Sequence, residues 1–256
     1  WTNQIKVRKR TNFSSFFYAK INIDLKQWGK INMLKINNFY GKIYLTMSCA
    51  IGISGLFSWF FINQNKYLLL KIQNLSLIAT IALWILPIIL VGAISKIAFK
   101  NPKLALPIFF IYSGYMGFLM GTTLMLYTAT DITIAFISTF LMFVIMGLIG
   151  FVTEKDLSGL GKACIASLFG IIIAILLNFI FHSSMLSLII SIISVVIFAC
   201  LIAYDNNRIR NYYEHGETSQ TIVILMALNL YLDLLNMFSS IIKYYWIYSW
   251  LIIDNL

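Results

Sequence analysis

The stretch Ala227–Phe238 reads ALNLYLDLLNMF, apolar nearly throughout, with Asp233 in its middle. The apolar run around it extends from Thr221 to Ile247. That is enough to cross a bilayer as a helix, which takes about 20 residues. An unpaired carboxylate in hydrocarbon costs several kcal/mol, even on lenient insertion scales. The fold and the function of this chain both turn on what Asp233 meets there.

Six further runs of similar length lie upstream, at Ile43–Ile62, Leu77–Ile97, Leu106–Tyr127, Ile132–Val152, Ala163–Phe181 and Leu186–Tyr204. The connections are short, and some hold breakers or turn residues, such as KNPK at 100–103 and HSS at 182–184. The composition agrees: of 256 residues, 60% are hydrophobic and 11% charged, where a soluble domain carries about 25% charged residues. The runs are continuous rather than alternating, which excludes a β-barrel. The expected fold class is an all-α membrane protein of seven transmembrane helices. Residues 43–250 form the transmembrane domain, 1–42 a basic N-terminal arm and 251–256 a short tail.

Basic residues set the orientation. The arm holds Lys6, Arg8, Lys9, Arg10, Lys20, Lys26, Lys30, Lys35 and Lys42 against a single acid, Asp24. Lys96, Lys100, Lys103, Lys155, Lys162, Arg208 and Arg210 fall in loops on the same side, and Lys66, Lys71 and Lys243 on the other. This lopsided split supports an odd number of spans, with the N-terminus on the cytosolic or matrix side. The chain starts at Trp1 rather than Met. A basic, acid-poor leader is expected of an organelle-targeted or organelle-encoded protein, and a solvated arm resting on anionic lipid accounts for it as well. The mitochondrial inner membrane is the expected location.

Helical spacing groups the polar residues inside the spans. In span seven, Asn229, Asp233, Asn236 and Ser240 recur at i, i+4, i+7 and i+11, one stripe. In span six, Ser187, Ser191 and Ser194 share a face with Asp205, because five helical turns are about 18 residues. Two antiparallel neighbours thus each bring an aspartate on a polar face. A one- to two-turn offset joins them if the loop between is partly helical. Two carboxylates held close cannot easily both ionise, so such a pair titrates as a unit. It can share a proton, hold Ca²⁺ through hard oxygen ligands when charged, and release it when protonated. The alternative is that each aspartate is hydrogen-bonded to neighbouring Asn, Ser or Tyr and only fixes helix register.

Other features are quieter. Cys49, Cys164 and Cys200 lie in apolar runs and read as packing residues. His182 and His215 are far apart, in loops, and no metal site is expected from them. Ser113, Gly117 and Gly121 recur every four residues, a spacing that lets helix backbones approach. Pro87 interrupts span two. YYWIYSW at 244–250 reads as an interfacial aromatic belt. No nucleotide motif, metal-ligand cluster or triad appears, and AYDN and YLDL lack the glycine of the GxGD setting of intramembrane aspartyl proteases. Neither an enzyme nor a nucleic-acid binder is expected, and no cofactor beyond a possible Ca²⁺.

IAYDNNRIR at 202–210, followed by ALNLYLDLLNMF, resembles the Bax-inhibitor-motif transmembrane family. IAFISTF at 134–140, TEKDLSGLGK at 153–162 and YSGYMGFLMG at 112–121 extend the resemblance to about Asn38–Tyr244. It implies seven transmembrane helices with the last at the centre of the bundle. It also implies a proton-sensitive pair, here Asp205 and Asp233, that gates Ca²⁺ passage. Supporting polar groups are expected at Asn229, Asn236 and Ser194. In bacterial members a basic residue of span two latches the pair; here Lys96 is the candidate for it. Asn206 and Asn207 stand where the family usually has Thr-Gln. The resemblance implies a pH-sensitive Ca²⁺ leak channel or Ca²⁺/H⁺ exchanger. The alternative is a structural accessory subunit of a large mitochondrial inner-membrane complex of the respiratory chain. The partners are the lipid bilayer and possible other membrane subunits.

Overall fold

The computed structural model describes residues 33–64 and 66–253. The described residues form eight helices and no strand: α1 Met33–Gln64, α2 Lys66–Gln73, α3 Leu77–Lys100, α4 Pro102–Leu124, α5 Ala129–Val152, α6 Ser158–Phe181, α7 Ser184–Glu214 and α8 Gln220–Ile253. All but α2 are long and apolar enough to cross a membrane. The chain divides into a unit of residues 1–41 and a unit of residues 42–256. Most of the expected basic arm lies outside the described residues, and so does the end of the tail. Within the second unit the seven spans fall where the apolar runs put them.

The helix starts follow local chemistry. Ser76 caps α3, accepting from Ala79 N, and Ser183 caps α7, accepting from Leu186 N. Thr128 and Asp131 form a reciprocal capping box on α5. His182 ends α6 in the left-handed conformation, with φ 50°. Asp156, in the turn before α6, accepts from Ser158 Oγ at 2.7 Å and Ser158 N at 2.9 Å. Those bonds hold its carboxyl below the ordinary carboxylate range.

Helix α8 is the most deeply buried span, with 67% of its apolar window inside the protein against 6% for α6. It packs against α3, α4, α5 and α7. The four-residue stripe of small residues on α4 meets α1: a Cβ at Gly117 would stand 2.3 Å from the Ser54 carbonyl oxygen, so only glycine permits this crossing. Helix α3 runs on through Pro87. Proline has no N–H, which frees the carbonyl four residues earlier. That carbonyl belongs to Leu83, and it accepts a hydrogen bond from Tyr115 Oη of α4 at 2.8 Å. A backbone group that hydrocarbon would leave unsatisfied is thus satisfied by the neighbouring helix.

Two connections carry helix beyond the apolar runs, the second as the pairing of the aspartates requires. The link between spans one and two contains a short helix, α2, and α7 continues as helix through the polar segment 205–214. Arg210 pairs with Glu214 at 2.6 Å, and Arg208 reaches Tyr212 Oη at 2.9 Å; both are i,i+4 contacts that support this extension.

Candidate functional site

Asp205 lies three-quarters of the way along α7, and Asp233 lies midway along α8. Both are buried, at 5% and 8% exposure. Their carboxyl groups face each other within hydrogen-bonding reach. The helical continuation of α7 is what brings them to one level. Asp233 Oδ2 is fully buried, and no protein donor satisfies it. Two ionised carboxylates offer each other no donor.

Arg208 stands one turn along α7, and its charge acts on Asp205. It is not an ion-pair partner: its guanidinium bonds Tyr212 Oη through Nε and Nη2 at 3.2 and 2.9 Å and lies 5.3 Å from the Tyr212 ring centroid. Among the described residues the single ion pair is Arg210–Glu214. Neither buried acid forms an ion pair among the described residues, and two carboxyls held close disfavour double ionisation.

The residues around the pair come from three elements. Asn206 is buried; its Nδ2 donates to Ile202 O at 2.7 Å, and its Oδ1 accepts from Tyr44 of α1. Asn207 is buried as well. Its Nδ2 donates to Thr153 O at 2.7 Å and Gly150 O at 3.4 Å, and its Oδ1 accepts from Leu157 N at 3.2 Å. Arg210 Nη1 donates to Phe151 O at 3.2 Å. Together these groups satisfy carbonyls at the end of α5 that have no partner within the helix, and tie that end to the segment of α7 that carries Asp205. The contact is close because residue 150 is glycine: a Cβ there would stand 2.0 Å from the Ala203 carbonyl oxygen.

Ser194, with Ser191, is buried on the same helix as Asp205. Asn229 is half-buried. The other two expected supporting groups are exposed. Asn236 is exposed, so the stripe on α8 does not turn inward as a whole. Along the stripe, Asp233 is buried and Asn229 half-buried. Lys96 is exposed near the end of α3, and the cation whose charge bears on Asp205 is Arg208 instead. Sequence spacing missed Tyr44 and Gly150. Gly147 and Gly150, three residues apart on α5, were the available signal for a close crossing. Tyr44 carried none, because its partner is 162 positions away.

Among the described residues no group of three or more His, Cys, Asp or Glu side chains could hold a metal. The two carboxylates fall short of the six to eight oxygens that Ca²⁺ takes.

A bundle of seven helices long and apolar enough to cross a bilayer defines a multi-pass integral membrane protein. Residues 36–249 match the model of the family described as Inhibitor of apoptosis-promoting Bax1. The chain belongs to that family, the Bax-inhibitor-motif family. It is 42% identical over 210 residues to the uncharacterised protein YrjE of Lactococcus lactis subsp. lactis, covering 81% of this chain and 90% of that protein. An uncharacterised membrane protein of Streptococcus pyogenes serotype M1 is 37% identical, covering 81% and 92%. The inner membrane protein YbhL of Escherichia coli K12 is 30% identical, covering 81% and 91%.

Proposed function

We propose that this protein is a pH-sensitive Ca²⁺ leak channel or Ca²⁺/H⁺ exchanger gated by the Asp205–Asp233 pair. The observation that carries the reading is a pair of buried carboxyls on neighbouring spans, facing each other with no ion-pair partner among the described residues. Hydrocarbon penalises buried carboxyls, which supports a functional reason for keeping them. A proton shared between the two groups neutralises the site; its loss leaves two carboxylates that attract a divalent cation. Ca²⁺ is the substrate in this scheme, passed on with part of its water shell. The protein acts as a conduit and not as a catalyst of covalent chemistry.

The relatives named above are bacterial, which favours a bacterial cytoplasmic membrane over the mitochondrial inner membrane. The basic loops then face the cytosol.

The test is Ca²⁺ entry into liposomes carrying the purified protein, followed across pH. The reading expects flux that changes with pH, and expects Asp205→Asn and Asp233→Asn each to remove that response. Flux identical in wild type and both variants would reject it. An absence of flux, with stable co-purification of other subunits, would support the accessory-subunit alternative instead.

A further inference from the structure

Helix α1 reaches both of the helices that carry the acid pair, each time beside the aspartate. Tyr44 donates to Oδ1 of Asn206, the residue next to Asp205. Ten residues on, about 15 Å along the helix, Ser54 Oγ lies 2.7 Å from Tyr231 Oη, two residues before Asp233. Both contacts join residues far apart in the chain, 162 and 177 positions.

Each contact is held from behind. Ser54 Oγ also lies 2.7 Å from Ser113 O of α4 and 3.0 Å from Ala50 O. The Tyr231 ring is fully buried, edge-on to Phe109 at 5.4 Å and to Tyr112 at 6.2 Å between centroids. The Asn206 amide is fixed at its other end by Ile202 O. Residues two apart on a helix point about 200° apart. Tyr231 and Asp233 thus project from opposite sides of α8, the first toward α1 and α4, the second toward α7. A rotation of α8 that breaks the Ser54 contact also moves the Asp233 carboxyl.

We propose that α1 aligns the acid pair, with Tyr44 acting through Asn206 and Ser54 acting through Tyr231 as positioning residues for Asp205 and Asp233. The proposal rests on the reading of that pair as the proton-sensitive group. The other groups whose charge bears on the pair are Arg208 on α7, itself beside Tyr204, and Cys164 on α6, the last beside Cys200. Helix α5 brings only Asp131, in its first turn. None of these touches Tyr44 or Ser54 in the contacts described.

The test is infrared titration of the protonated-carboxyl C=O band in the purified protein in liposomes, which needs no transport. Asp205→Asn and Asp233→Asn assign the band. Two interacting carboxyls release protons in two steps whose separation measures their coupling. In Tyr44→Phe, Tyr231→Phe and Ser54→Ala the steps should draw together by about half a pH unit, roughly threefold in relative proton affinity. Tyr231→Phe combined with Ser54→Ala should shift no further than either alone, because both remove one bond. Tyr→Phe keeps the ring packing, and Ser54→Ala is an independent check should one tyrosine variant fail to fold. Unchanged step separation in all three, with the band still assigned to the aspartates, overturns the positioning role and leaves the pair standing. A band that neither Asn variant alters overturns the reading of the pair and this proposal with it.

Discussion

Asn207 serves three backbone groups with one side chain. It satisfies Thr153 O, Gly150 O and Leu157 N at the turn between α5 and α6. An amide suits this place because it donates and accepts from adjacent atoms, which a serine or a carboxylate of similar size cannot do. Asn207→Ala leaves those groups without partners beside a buried segment. It is expected to lower stability by about 1–3 kcal/mol, read as a lower thermal midpoint in detergent. An unchanged midpoint would mean that water replaces the side chain without loss. Asp205 and Asp233 were legible in the sequence, since a carboxylate in an apolar run is conspicuous. Asn206 and Asn207 stood out only as a departure from the family's usual Thr-Gln. Their partners lie on α1 and beyond α5, and no local pattern links such distant positions.

At the scale of the element, the α3–α4 contact pairs a defect with its remedy. Pro87 frees the Leu83 carbonyl, and the Tyr115 hydroxyl takes it up. Tyr115→Phe should cost about 1–2 kcal/mol in the native background. In a Pro87→Ala background the same change should cost clearly less, because an alanine N–H can restore the helical bond to Leu83 O. Equal costs in both backgrounds, measured by thermal or denaturant unfolding in detergent, would separate the two features. The spans themselves were readable because twenty apolar residues in a row have one stable arrangement in a bilayer. The extension of α7 was readable only as a condition for the aspartates to meet. Its last turns, NNRIRNYYE, read as a polar loop, and they stay helical through Arg208–Tyr212, Arg210–Glu214 and the grip of Asn207 on α5. That extension matters to the site, since it sets the level at which Asp205 meets Asp233.

Across the whole transmembrane unit, exposure and burial divide the helices by role. Helix α6 turns Ile172, Ile173, Leu176, Phe179 and Phe181 outward, the surface a bilayer covers. Helices α4 and α8 hold the most buried windows, at 56% and 67%. Among the described residues the buried polar side chains are Ser54 and Ser58 on α1, Ser113 and Thr122 on α4, Thr139 on α5, Ser191, Ser194, Asp205, Asn206 and Asn207 on α7, and Asp233 on α8. Hydrophobic periodicity could not locate this polar interior, because a span that is apolar on most sides shows little contrast between faces. Helical spacing of the few polar residues did better for α7 than for α8, where Asn236 turns outward.

The account's central claim is that Asp205 and Asp233 act as one unit. The most direct measurement is pH-dependent Ca²⁺ flux in liposomes for wild type, Asp205→Asn, Asp233→Asn and the double variant. Groups that work as a unit are non-additive. The double variant should match either single, and all three should lose the pH response of the wild type. Losses that add from one variant to the next, or a pH response retained in either single variant, would contradict the pair as the site.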